Sequence, residues 1–194
     1  MKKNTKNAGY KIAIIGWGSL LFPQNKKKLS IVGNKFNENG PQVPLELTRI
    51  SSDGRLTLVI DEDAGVENNA LYAISKHKTI NKAFDELVKT EKVNPKLIGV
   101  VDIRNKQTSE SATKHSNTTM SIANWARKNK FDAVLWCALG RKFKDKINVK
   151  FSPENAVSYL SKLPVQERNN SIKYIKSLPK TIKTPVTQLV AKEF

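Results

Sequence analysis

The chain has 194 residues, 39% of them apolar, and a formal charge of +17, which fits one compact domain with a sizeable core and excludes two large domains. Cys137 is the only cysteine and no apolar run approaches the ~20 residues of a membrane span, so an internal disulfide and a spanning helix are excluded too. Of the 34 basic residues 28 are lysine and 6 arginine; arginine is the residue that reads bases and stacks on them, so the charge argues against nucleic acid as the main partner and matches a bias toward Lys, Asn and Ile.

Residues 1–9 are polar and lysine-rich, the pattern of a frayed terminus. Lysines before the apolar stretch 12–22 imitate a secretory leader, but two glycines and a serine interrupt the stretch and no small-x-small cleavage site follows Pro23. With one cysteine in an apolar run, the expected compartment is the reducing cytoplasm.

Residues 10–15 read as a buried first strand that ends in Gly16, Trp17, Gly18 and Ser19. The segment 24–42 lacks periodicity and reads as loop with one short helix. Strands over 43–50 and 55–60 flank Ser51, Ser52, Asp53 and Gly54, a hairpin in which Asp-Gly supplies positive φ angles. A short strand over 70–74 precedes a helix over 79–90, where Ile80, Ala83, Phe84, Leu87 and Val88 recur at helical spacing. A strand over 98–104, a turn-rich segment over 105–117, a helix over 118–130 and a strand over 133–139 follow. Ser152 and Pro153 then form an N-cap and first helical position, with Ala156, Val157, Leu160 and Leu163 on one face. A last helix over 165–178 is stopped by Pro179. The sum is an α+β domain with a mainly antiparallel sheet over 10–150, and a helical C-terminal extension over 151–194 packed on it.

The loop after the first strand carries the first chemistry to test. As a dinucleotide-binding G-x-G-x-x-G turn it fails, because Leu21 stands where the third glycine is needed and no ribose-binding acid follows ~20 residues on. Successive backbone N–H groups in such a turn can still converge on a carboxylate or oxyanion; the plainer alternative is a tight turn with Trp17 packed as core. The two histidines, His77 and His115, have no partner at metal-ligand or triad spacing and read as surface residues.

Gly16, Trp17, Gly18, Ser19 and Leu20, directly after the first strand, resemble the Tyr-Gly-Ser-Asn/Leu signature of the γ-glutamylcyclotransferases, with Trp17 in the place of the tyrosine. The likeness extends over the stretch 40–60, the helix ending in Glu91 with the strand after it, and the pattern Tyr174, Ile175, Pro179, Thr184 and Pro185, and so over most of the chain. It implies a small barrel-like sheet with flanking helices. It also implies that Trp17, Gly18, Ser19 and Leu20 bind substrate and that Glu91 is the catalytic carboxylate. Glu46 and Arg49 are of second rank, and Arg49, on the face of Leu45 and Leu47, is a candidate charge aimed at a pocket.

A physical argument for Glu91 runs alongside, because the unpaired carbonyls at a helix C-terminus disfavour a carboxylate and raise its pKa toward that of a useful base. The opposing reading is an exposed glutamate kept ionised by Lys89 and Lys92. The reaction implied by the resemblance is attack of a γ-glutamyl compound's α-amine on its own γ-carbonyl, giving 5-oxoproline and a free amine. Orientation alone supplies up to ~7–11 kcal/mol in such intramolecular reactions, and the step needs no metal, cofactor or protein nucleophile. Two other classes compete: a non-catalytic binding module for small metabolites on the same scaffold, and a basic protein that binds nucleic acid or a partner.

Overall fold

The computed structural model describes residues 9–194, so the expected frayed terminus lies outside the described residues apart from Gly9. In chain order the elements are β1 (Ile12–Gly16), α1 (Pro23–Lys26), β2 (Gln42–Ile50), β3 (Leu56–Ile60), β4 (Val66–Asn69), β5 (Leu71–Ile74), α2 (Ile80–Glu91), β6 (Ile98–Asp102), β7 (Gln107–Thr108), α3 (Glu110–Thr113), α4 (Ser116–Lys128), β8 (Ala133–Cys137), α5 (Phe143–Ile147), α6 (Pro153–Lys162), α7 (Val165–Lys176) and α8 (Pro185–Glu193). The class is α+β.

The strands form two separate sheets, one of five strands in the order β5-β1-β8-β6-β7 and one of three in the order β3-β2-β4. This corrects the expected barrel-like sheet: the larger sheet ends in β5 and β7 and the smaller in β3 and β4, with no pairing that closes either. All pairs are antiparallel except β1 with β8. β1 is apolar at every position because both of its faces are covered. Ile12 and Ile14 meet Ala83 and Leu87 of α2 in one core cluster, while Ala13 and Ile15 join a larger cluster with Leu45, Leu58 and Leu160. The period-2 alternation of a strand thus sends alternate residues into two cores.

The hairpin joining β2 to β3 lies where the sequence puts it, though only Gly54 has a positive φ, 78°, and Asp53 does not. Gly54 N–H closes the turn on the Ser51 carbonyl at 3.2 Å. β4 and α8 are absent from the sequence reading. α8 carries its own signal, since the Thr184 hydroxyl accepts the Thr187 N–H and the Thr187 hydroxyl accepts the Thr184 N–H, a reciprocal cap before Pro185 at the first helical position.

The helices after residue 151 close over the smaller sheet. β3 is an edge strand, and an open row of N–H groups would invite pairing with another chain. α7 covers that row: Leu56 N–H donates to Ser171 Oγ at 3.1 Å and Leu58 N–H to Tyr174 Oη at 3.2 Å. Ser171 and Tyr174, three residues apart, lie on one side of α7. The pairing that protects the edge also carries a tyrosine hydroxyl into the site.

Candidate functional site

β1 and β8 run parallel, so both deliver their carboxyl ends to the same side of the sheet, where a crevice opens beyond parallel strands. A cavity of about 40 Å³ lies there, walled by the end of β1 with residues 17–20, by residues 57–59 of β3, and by Glu91, Cys137, Leu139 and Tyr174. The glycine loop and Glu91, 71 positions beyond Leu20 in the sequence (91 − 20), therefore line one space. As it stands the space has room for no more than a few water molecules.

Trp17 is 6% exposed and packs in the larger core while forming part of the wall, so the two readings of the loop coincide in one residue. Gly18 has φ −124° and is not left-handed. What requires glycine is proximity, because a Cβ there would stand 2.8 Å from Tyr174 Oη. The N–H groups of Leu21 and Phe22 return to the carbonyls of Gly18 and Ser19, and Asn25 Nδ2 also donates to the Ser19 carbonyl at 2.9 Å. The N–H groups of Gly18, Ser19 and Leu20 have no acceptor among the described residues.

Glu91 is the last residue of α2, and Lys92 at φ 53° turns the chain out of the helix in a left-handed cap. Its side chain is partly buried and makes no hydrogen bond or ion pair with any described residue. Burial pushes its carboxyl up to about 7. Lys89 and Lys92 are both exposed and neither pairs with it, so the picture of a solvated, lysine-paired glutamate does not describe the folded chain.

Two neighbours share its environment. Burial, and then the negative charge of Glu91, push the Cys137 thiol up, which keeps it protonated and a poor nucleophile. The Tyr174 hydroxyl, pushed up to about 12 chiefly by burial, accepts the Leu58 N–H; its own hydrogen has no acceptor among the described residues. Tyr174, which enters the sequence analysis only as part of the C-terminal pattern, was given no role in the site there. Its neighbours in the chain do not place it in the site, because that place depends on α7 docking against β3.

Other candidates lie elsewhere. Arg49 is not part of this wall, and its Nη1 donates to the Gly140 carbonyl at 2.9 Å. Glu46 is fully buried and accepts the Leu47 N–H at 2.7 Å, away from the cavity. The histidines are half-buried rather than surface residues. His77 Nε2 lies 3.1 Å from Glu86 Oε1, and the Glu86 carboxylate also accepts the Ser30 N–H and hydroxyl, which ties the loop before β2 to α2. Among the described residues no group of three or more His, Cys, Asp or Glu is arranged to hold a metal ion, and no helix is long and apolar enough to cross a membrane.

Compared with known proteins, the chain matches no family model, no curated protein and no solved structure.

Proposed function

We propose that this chain binds γ-glutamyl compounds at the cavity beyond β1 and β8 and cyclises them to 5-oxoproline with release of the amine. The observation that carries the reading is Glu91: a carboxyl raised to about 7, without a counter-ion among the described residues, in the same cavity as a glycine loop whose free N–H groups need an acceptor.

In this reading Glu91, as carboxylate, takes a proton from the substrate's α-ammonium. The freed amine attacks the γ-carbonyl carbon, forming the ring C–N bond and a tetrahedral oxyanion. The N–H groups of Gly18, Ser19 and Leu20 stabilise that oxyanion. Collapse breaks the original amide C–N bond while Glu91 returns its proton to the departing nitrogen, and the ring nitrogen gives up its second proton through the same carboxylate to the freed amine, leaving the neutral lactam and an ammonium. Tyr174, with a hydrogen free to donate, orients the substrate from beside Gly18 of the loop. Cys137 stays neutral and takes no part as a nucleophile.

A γ-glutamyl group is larger than about 40 Å³, so in this reading the cavity widens on binding. The small cavity favours one competing reading, a module that holds a smaller ligand and turns nothing over. Release of 5-oxoproline across a panel of γ-glutamyl amines separates the two. Turnover that falls by ~10² or more in Glu91→Gln is expected; a folded wild-type chain that releases none from any member would remove the enzymatic reading.

A further inference from the structure

The two edges of the larger sheet differ. At β5 the 31–37 segment lies alongside the strand: the Asn37 N–H donates to the Tyr72 carbonyl at 2.6 Å, the Tyr72 N–H returns to the Asn37 carbonyl at 3.0 Å, and Ile31 bridges to Ser75. β7, at the other end, has no such cover. Gln107 and Thr108 are exposed and make no hydrogen bond to any described residue outside β6. The Ser109 N–H donates to the Val100 carbonyl at 2.9 Å, so the alternation of an antiparallel ladder turns the N–H and carbonyl of Thr108, paired with Val101, outward.

Both faces beside this edge are open. Val100 packs with the core cluster of α2 and Val101 with that of α4, so the two faces of the β6–β7 ribbon look toward different helices. On the α2 side a groove of about 490 Å³ is walled by Tyr10, Ile80 and Val100. On the α4 side a groove of about 580 Å³ is walled by Ile103, Met120 and Ala123, with Met120 59% exposed. Gln107 and Thr108 line both. Lys106 and Arg127 also line the α4-side groove; both are exposed and neither pairs with an acid among the described residues. The one acid in the two walls, Asp102, is buried and already accepts the Tyr10 hydroxyl and both the N–H and Nδ2 of Asn105.

We propose that β7 receives an extended, acidic segment of a partner protein, which adds to the sheet beyond Thr108 and sends alternate side chains into the two grooves. Successive side chains of a strand point to opposite faces, so one register serves both: apolar side chains meet Tyr10, Ile80 and Val100, while acidic ones lay their methylenes over Met120 and reach Lys106 and Arg127 with their carboxylates. A two-residue edge binds little through its backbone alone, which guards it against indiscriminate pairing; the grooves supply the selection. A second copy of the chain fits less well, since pairing β7 with β7 would bring two sets of Lys106 and Arg127 together on chains that each carry +17. Neither groove shares a residue with the Glu91 cavity, so this docking is independent of the chemistry there.

The test titrates the full chain into a fluorescein-labelled eight-residue peptide of alternating Val and Glu and follows anisotropy at about 150 mM salt. Comparison peptides carry the same residues in two blocks, Lys in place of Glu, or N-methyl groups on one or the other alternate set of backbone nitrogens. The alternating peptide is expected to bind at least ~10-fold more tightly than the block and Lys peptides, and ~10-fold more weakly to a chain carrying Lys106→Glu and Arg127→Glu. Methylation of one backbone set weakens it and methylation of the other does not, the signature of an added strand. Thr108→Pro, which removes the outward donor at an edge position, lowers affinity as well. Melting curves confirm that the variants fold, and the two charge reversals alter only exposed side chains. Absence of binding, equal binding of the block peptide, or wild-type affinity in the folded double variant overturns the proposal, as does indifference to both methylation patterns. A wild-type chain that runs as a dimer in gel filtration and as a monomer with Thr108→Pro would give the edge to a second copy and overturn the acidic partner.

Discussion

Glu91→Gln tests the electrostatics of the site without relying on any substrate. In the native chain the Glu91 carboxyl is pushed up to about 7 by burial, against 4.5 for the free group. Between those values the native state binds more protons than the unfolded state, so stability falls as pH rises through that window and is flat above it. Integrated from pH 5 to pH 8, a shift of that size removes about 2–3 kcal/mol from the wild type. Glutamine has nearly the same volume and does not titrate, so it adds only a pH-independent offset. The gap between variant and wild type should therefore move by about 2–3 kcal/mol in the variant's favour across that range, a change of roughly 5–10 °C in relative Tm for a chain of this length. Parallel thermal or urea melts at pH 5, 6, 7 and 8 read it directly. A gap that stays constant with pH would mean that Glu91 titrates as an ordinary exposed carboxylate, and the proposed base would lose its basis. For the proposed cyclisation, with the carboxylate form as base, the same group predicts kcat/KM rising with pH through about 7.

Gly18→Ala should destabilise by ~1–3 kcal/mol and abolish ligand binding, because the new methyl would sit 2.8 Å from Tyr174 Oη and push the hydroxyl off the Leu58 N–H; a variant with wild-type melting and calorimetric affinity would place the ligand elsewhere. Tyr174→Phe keeps the ring and leaves the Leu58 N–H unsatisfied at a buried edge, for a loss of ~1–3 kcal/mol. Hydrogen exchange at Leu58 should quicken in that variant, and unchanged protection would mean that the bond contributes nothing. Cys137, its thiol pushed up by burial and by Glu91, should react with iodoacetamide at pH 8 at least ~10²-fold more slowly in the native chain than in denaturant; comparable rates would show that neither burial nor Glu91 holds the thiol back.

The sequence alone determined the elements whose causes are local. β1 is legible as an unbroken apolar run, the hairpin through its Asp-Gly turn, α2 through its helical spacing, and α6 through Ser152, whose side chain accepts the Asn155 N–H. The placing of a glycine loop after the first strand and of a carboxylate at the end of α2 belongs to the same level. That the loop and Glu91 share one cavity was decided by tertiary structure, through the parallel pairing of β1 with β8 and the docking of α2 against the sheet. So was the source of the raised carboxyl, which is burial, a property of what surrounds Glu91 in space rather than of its neighbours in the chain. Arg49 illustrates the limit: its alternation with Leu45 and Leu47 gives a face, but the Gly140 carbonyl, 91 positions on, takes its guanidinium. Tyr174 is the clearest case, because a polar side chain on an amphipathic helix reads as an ordinary residue. Only the unpaired edge of β3 gives its hydroxyl a partner and turns it toward Gly18 and Glu91.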